Sequence, residues 1–328
     1  MRTSTCRVSV VIPTYKRLAL LQRCLEALSA QDIAPADFEV IVVDDAASEE
    51  TRKQVLEESC LHPEHTIRYL PVQGTNGPAA ARNLGWQAAS GEIIAFTDDD
   101  CIPTPGWLRA GLEAFDDVVV GVSGKIIIPL DHTPTDYERN AALLAKSEFV
   151  TANCFYRRDV LASIGGFDER FTMAWREDSD LAFRFMKEYP ESALVYAPKA
   201  VVVHPVRPAP WGISLKQQRK SMFNALLYKK HPQLYREKVQ SAPPFLYYWI
   251  IAALLTAVLA LPPGLYWLAI FALCLWFCLT VRFCLLRLRA TSHAFPHVLE
   301  MIITSLLIPP LSIFWRLVGA IKYRVLFL

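Results

Sequence analysis

Three consecutive carboxylates, Asp98, Asp99 and Asp100, close the apolar run of "IIAFTDDDCIP" (93–103). Side by side they repel, and no Lys or Arg lies within the run to neutralise them. Hard divalent cations such as Mg²⁺ and Mn²⁺ take oxygen ligands, so clustered carboxylates at a strand end are a place to hold one. The alternative is a solvated acidic turn. Two further groups of acids stand out: Asp44 and Asp45 end "FEVIVVDD" (38–45), and Glu177, Asp178 and Asp180 crowd "WREDSDL" (175–181). A positioned carboxylate can take a proton from an attacking hydroxyl. It can also serve only the start of a helix, by capping it or by complementing its dipole. Arg82, in "TNGPAAARN" (75–83), can bond a phosphate or a base, or simply pair with a nearby acid. His204 follows "AVVV" as a lone histidine, a type more often structural than ligating.

These residues need a scaffold, and the first 210 residues read as alternating strands and helices. Strand-like runs cover 7–13, 38–45, 67–72 and 92–99, with helical spacing over 17–31, 49–60 and 77–90 between them. The strands are near-continuous Val/Ile runs, as expected when helices cover both faces of a parallel sheet. The alternation implies right-handed crossovers and a doubly wound α/β domain. In such sheets ligands gather at the carboxyl ends of the strands, where "VVDD" and "FTDDD" both fall. Beyond residue 103 the pattern is mixed: a short helix over 106–115, one or two strands over 118–129, a strand ending 143–158, a helix and glycine turn over 159–171, a helix over 176–189 and late strands over 193–205.

The composition then changes. From Pro243 to Val281 there is no charged residue, and Pro262, Pro263 and Gly264 divide the stretch into 245–261 and 265–281. At about 1.5 Å per residue each run is ~26 Å long, and aromatic flanks can complete a ~30 Å hydrocarbon core. A buried soluble hairpin is the competing reading. A third apolar run, 298–315, contains Pro309 and Pro310 and is readable as re-entrant, interfacial or spanning. The expected division is thus a domain over 1–210, a basic interfacial linker over 211–242 and a membrane region over 243–328. Net charge is only +2, but 211–240 carries seven Lys/Arg against one acid, and 282–328 six against one. Basic flanks place both hairpin ends on the cytoplasmic side and favour an anionic lipid surface. The eight cysteines show no CxxC pair or zinc spacing, which favours a reducing compartment. No signal peptide is expected, because a strand-like run begins after six polar or small residues.

In order and spacing, "VSVVIPTYKR", "VIVVDDAAS", "TNGPAAARN", "FTDDDCIPTPGWL", "GGFDERF" and "REDSDLAFR" resemble glycosyltransferase family 2 over roughly residues 7–205. The resemblance implies a GT-A fold, followed here by the transmembrane hairpin, and transfer from a nucleotide-activated sugar with inversion. It implies that Asp98 and Asp100 are the family's DxD pair, with Asp100 a ligand of Mg²⁺ or Mn²⁺ and Asp98 reaching the ribose or the metal; Asp99 adds a second choice. It implies that Asp45 accepts a hydrogen bond from the nucleobase, with the backbone of Pro13, Thr14 and Tyr15 lining the other side, that Arg82 contacts the donor, and that His204 ligates the metal as in some relatives. It maps the family's acidic pair onto Glu177 and Asp178, with Asp178 as the base.

The expected activity is therefore metal-dependent, inverting glycosyl transfer at the inner face of the plasma membrane, with the catalytic domain in the cytoplasm. The expected donor is a UDP-sugar, and the acceptor a glycan, lipid-linked glycan or polyprenyl phosphate; membrane lipids are partners and nucleic acid is not. Rival readings are a processive polysaccharide synthase, for which two or three spans are few, and a catalytically silent scaffold, against which the intact acids argue. A sugar nucleotidyltransferase would carry a glycine-rich basic loop near the N-terminus, and "IPTYKR" is not one.

Overall fold

The structure is a computed structural model that describes residues 6–74, 77–147 and 149–327. Thr75 and Asn76 of "TNGPAAARN", and the first five residues on which the signal-peptide expectation bears, lie outside the described residues. The chain divides into two compact units, Met1–Pro129 with Ala142–Val206, and Leu130–Ala141 with Arg207–Leu328.

The first unit contains β1 (Val8–Thr14), α1 (Leu18–Ser29), β2 (Phe38–Asp44), α2 (Glu49–Leu61), β3 (Thr66–Pro71), α3 (Pro78–Gln87), β4 (Ile93–Phe96), β5 (Ile102–Pro103), α4 (Trp107–Glu113) and β6 (Gly121–Ile127). A short helix, α5 (Asp136–Ala142), lies mostly in the second unit, and β7 (Cys154–Arg157), α6 (Arg158–Ile164), α7 (Glu177–Glu188) and β8 (Leu194–Val203) return to the first. The eight strands form one sheet in the order β3-β2-β1-β4-β7-β6-β8-β5. The β3-β2-β1-β4 half is parallel. In the other half β7 runs antiparallel to both β4 and β6, β8 is parallel to β6, and β5 is antiparallel to β8. The fold is the expected α/β architecture, with the sheet mixed beyond β4.

Successive side chains of a strand point to opposite faces, and both faces are buried here. Val8, Val10 and Ile12 of β1 pack with Leu21, Leu25 and Leu28 of α1. Val11 of the same strand packs instead with Ala79, Ala81 and Trp86 of α3 and with Leu181 and Phe185 of α7. Burying each such Val, Leu or Ile is worth roughly 1.5–3 kcal/mol, so the two-sided core fixes the strands whose ends carry the acids.

The second unit contains the helices α8 (Ile213–Gln217), α9 (Met222–Lys230), α10 (Pro232–Lys238), α11 (Phe245–Leu259), α12 (Tyr266–Leu288) and α13 (Phe295–Tyr323). By length and composition, α12 and α13 are each able to cross a membrane, whereas α11 has only 15 residues. Compared with the expected segments, α12 runs past Val281 through Arg282 and Arg287. It does so because Arg287 is buried and paired: its Nη2 lies 2.8 Å from Asp136 Oδ2, and its Nη1 donates to Thr304 Oγ1 at 2.6 Å and Ser305 Oγ at 3.1 Å. The 298–315 segment belongs to one continuous helix that includes Pro309 and Pro310. A proline removes a backbone donor and strains the preceding turn, but Ile308, Pro309 and Ser312 are buried, and packing of this kind holds a proline-containing helix together. Further along α13, a Cβ on Gly319 would lie 2.4 Å from the Met222 carbonyl oxygen, so glycine is what lets α13 approach α9. The outward faces are apolar: Trp249, Leu259, Trp267, Phe271, Phe277 and Ile321 are all exposed.

Candidate active site

The parallel register sets Pro13 beside Val43 and Thr14 beside Asp44, so the ends of β1 and β2 lie side by side. Asp44 is fully buried and holds the turn into α2: Oδ1 accepts from Ala46 N at 2.9 Å, and Oδ2 from Ser48 N at 2.7 Å and from the Tyr69 hydroxyl at 3.1 Å. Ser48 then caps α2 by accepting from Thr51 N. Asp45 is the more exposed of the pair, and its N–H donates to the Thr14 carbonyl at 2.9 Å. Tyr15 stands exposed beyond them.

The three aspartates after β4 have three different environments. Asp99 is buried and accepts from Thr14 Oγ1 at 2.8 Å and from Arg17 Nη1 at 2.9 Å. Burial raises its pKa, as does the neighbouring charge of Asp100, against the pull of Arg17 and Thr14. Its contacts tie the end of β4 to β1 and to the residue before α1. Asp98 has its side chain 27% exposed and accepts from Arg82 Nη2 at 2.7 Å. Burial opposes its charge, but the Arg82 guanidinium outweighs this and holds its pKa below the ordinary carboxylate value. Asp100 Oδ1 lies 3.5 Å from His204 Nε2, so the residue just after β8 meets the turn between β4 and β5. The ordinary reading of a lone histidine as structural does not account for this one fully: His204 Nδ1 is buried without a hydrogen-bond partner.

Arg82 is buried within α3 and reaches two acids. Besides Asp98 it donates from Nη1 to Glu177 Oε1 at 3.1 Å. Glu177 begins α7, is buried, and also accepts from the Trp175 N–H at 2.7 Å. Its pKa is pushed up to about 7, chiefly by burial and then by the adjacent Asp178, against the opposing pull of Arg82. The turn before it is strained, because Arg176 has φ +77°, a region that non-glycine residues enter at a cost of about 1–3 kcal/mol. The Arg176 guanidinium lies 4.5 Å from the centroid of the Trp175 ring. Asp178 is half-buried, and its Oδ1 accepts the Ser179 N–H at 2.6 Å. Asp180 is fully buried and accepts from Arg184 Nε at 3.1 Å, one turn along the same helix. Asn83 uses both ends of its amide on structure, donating to the Phe167 carbonyl and to Glu169 and accepting from Phe167 N and Trp86 Nε1. Gly77, at φ +85°, lets the start of α3 lie against Thr172: a Cβ there would be 2.4 Å from that carbonyl oxygen.

The structure therefore joins Asp98, Arg82 and Glu177 in one ion-paired network, with Asp178 next to Glu177 in the chain, pairs Asp100 with His204, and pairs Asp99 with Thr14 and Arg17. Pro13, Tyr15 and Asp45 lie at the neighbouring strand ends. Sequence reasoning did not single out Arg17 or Cys101. Arg17 stands in the quoted "IPTYKR" and Cys101 directly follows the aspartates, so proximity to the motifs was the available signal. A ligand atom from each of Asp100, Cys101 and His204 lies within 4.8 Å of the others, a set that fits a divalent cation.

The chain belongs to the family described as glycosyl transferase family 2, which matches residues 9–180. It is 28% identical over 221 residues to glycosyltransferase AglE of Haloferax volcanii, covering 64% of this chain and 70% of that protein. It is 30% identical over 207 residues to the uncharacterized glycosyltransferase YwdF of Bacillus subtilis, covering 58% and 74%. In fold it is similar to the mannosyltransferase PcManGT of Pyrobaculum calidifontis, solved with GDP-Man and Mn²⁺, at a TM-score of 0.57 and 20% identity, covering 97% of this chain and 87% of that one. At that identity the likeness is one of fold.

Proposed function

We propose that the protein transfers a sugar, with inversion, from a nucleotide-sugar donor to an acceptor held near a membrane. The observation that carries this reading is the network joining the end of β4 to the start of α7 through Arg82. It joins Asp98, read as the donor-side acid, to Glu177, the chain neighbour of Asp178, which is read as the acceptor-side acid.

Asp45 accepts from the nucleobase, with the backbone of Pro13, Thr14 and Tyr15 on its other side. Asp98 faces the ribose or the metal, and Asp99 holds the loop in place through Thr14 and Arg17. Asp100 and His204 hold a divalent cation, Mg²⁺ or Mn²⁺, which when bound neutralises the diphosphate leaving group. The support in this chain is the 3.5 Å approach of His204 Nε2 to Asp100 Oδ1. Asp178 takes the proton of the acceptor hydroxyl as that oxygen attacks the anomeric carbon. Glu177 positions it and is itself held by Arg82 and the Trp175 N–H. Asp180 stays on its own helix with Arg184 and takes no part. The exposed apolar faces of α11–α13 sit in the inner plasma membrane, with the catalytic unit on the cytoplasmic side. The acceptor is a lipid-linked glycan, a polysaccharide or a polyprenyl phosphate.

The test is a screen of full-length protein in detergent against UDP- and GDP-sugars with Mn²⁺, reading nucleotide release and thermal shift. A UDP-sugar is the expected hit. No shift and no release with any nucleotide sugar would overturn the reading.

A further inference from the structure

Arg316 lies on α13 in the second unit, is only 4% exposed, and carries a charge that it cannot shed. Its Nη1 donates to Gln240 Oε1 at 3.1 Å, an amide oxygen that also accepts from the Tyr235 hydroxyl at 3.1 Å. The guanidinium lies over the Phe327 ring, 4.1 Å from its centroid. These contacts hold the group in place, but its Nε and Nη2 have no hydrogen-bond partner among the described residues. Packing on Phe327 accounts for one face of the guanidinium plane. It does not account for the two donors, which lie in that plane. Together Nε–H and Nη2–H form an edge that can take two oxygens of a phosphate or carboxylate at once. Burying such a charge without an anion is costly.

The surroundings are cationic as well. Phe327 packs against Tyr228 and Tyr235, with ring centroids 5.3 and 5.5 Å away, and the Arg236 guanidinium lies 4.9 Å from the centroid of Tyr228. Arg219 lies 5.7 Å from the ring of Trp315, the residue before Arg316. Residues 211–240, which supply these added cations, carry seven Lys/Arg against one acid.

We propose that the Nε–Nη2 edge of Arg316 anchors a phosphate-binding site in the helical unit, with Gln240 and Phe327 fixing its orientation. A phosphate monoester carries more negative charge than a carboxylate, which suits a guanidinium with further cations around it. The phosphate arrives free or on a lipid. Phe314, Leu317 and Ile321, exposed on the same helix, are apolar surface for a lipid chain. None of these residues belongs to the network of acids at the strand ends, and the proposal does not depend on the transferase reading.

The experiment uses the full-length protein in dodecyl maltoside, a phosphate-free detergent. It is titrated with inorganic phosphate and, separately, with dioctanoyl phosphatidic acid. Acetate at matched ionic strength and dioctanoylglycerol are the controls. Melting temperature and the linewidth of the phosphorus NMR signal report binding. Wild type should respond to at least one phosphate probe and to neither control. A response to phosphatidic acid alone assigns the phosphate to a lipid, and a response to inorganic phosphate as well shows that the chain is dispensable. Arg316→Gln should weaken binding at least about tenfold. Arg316→Lys should recover only part of it, because an ammonium lacks the fork. Arg316→Met, uncharged and apolar, should also lose the response, and it serves as the second variant where the Gln protein fails to fold. Arg219→Gln, which removes a nearby cation but leaves the edge intact, should cost far less. No response of wild type to either phosphate probe, an equal response to the controls, or a response that survives in Arg316→Gln or Arg316→Met would each overturn the proposal.

Discussion

Arg82 Nη1 meets Glu177 Oε1 at 3.1 Å in the protein interior, although the two residues lie 95 positions apart in the chain. The other end of the same guanidinium holds Asp98. One side chain on α3 thus ties the loop after β4 to the start of α7. Its planar fork suits that role, because a lysine ammonium is a point charge on a flexible stem.

Arg82→Ala should therefore damage the fold as well as the chemistry. Removing one partner of a buried ion pair costs about 3–5 kcal/mol, since the acids left behind stay buried and unpaired. Thermal unfolding should show a large loss, and Arg82→Lys a smaller one, because a single ammonium cannot replace both arms of the fork. An Arg82→Ala protein with unchanged stability but weakened nucleotide binding would mean that the side chain serves the donor directly and not the frame.

Glu177 gives a pH prediction of definite sign. Its pKa is raised from 4.5 to about 7. A carboxyl with a raised folded-state pKa contributes stability that is fully present below its unfolded value and is lost as pH rises through the folded one. The Glu177 contribution therefore falls between about pH 4.5 and about pH 7. Asp98, with its pKa lowered, contributes in the opposite sense, losing stability as pH falls through its depressed value, so the comparison must be made between variants. Glu177→Gln keeps a hydrogen bond to Arg82 and removes the titration. Melting temperatures of wild type and Glu177→Gln should converge at low pH, and the variant should gain relative to wild type as pH rises to 8. Parallel pH curves for the two proteins would show that Glu177 has the same pKa folded and unfolded, and so is not raised.

The parallel half of the sheet and its helices were legible because β1, β2 and β4 are two-sided Val/Ile runs separated by helical spacing. The antiparallel placement of β7 was not, since a buried run reads the same in either strand direction. The acids were visible as motifs, but their division of labour was not. Asp98, Asp99 and Asp100 are adjacent and of one type, and only the partners Arg82, Arg17 and His204, all distant in sequence, tell them apart. The long α12 and α13 were partly hidden for a related reason. The expected run ended at Val281, before Arg282, and nothing local showed that Arg287 is buried within the helix, because its partner, Asp136, lies 151 residues away; Pro309 and Pro310 read as a break because packing that tolerates them leaves no local signal.

Asp178 separates a catalytic base from an acid that serves only its helix. Its Oδ1 already accepts the Ser179 N–H and, at 3.2 Å, the Ser179 hydroxyl, as an acid at a helix start would. Yet it is half-buried where Glu177 and Asp180 are fully buried, so solvent or an acceptor reaches it and not them. Asp178→Asn keeps the size and an amide oxygen for Ser179 but cannot take a proton. If Asp178 is the base, turnover per folded molecule should fall by ~10²–10⁴, with nucleotide affinity nearly unchanged, because the proposed donor site lies at the strand ends and not at Asp178. If it serves only the helix, the variant should lose about 0.5–2 kcal/mol of stability and keep its turnover. Melting temperature, nucleotide affinity and turnover measured on one preparation decide the matter. Full turnover with a lowered melting temperature would pass the role to Glu177, whose raised pKa then becomes the relevant one, since Asp180 is fully buried and engaged with Arg184 at 3.1 Å.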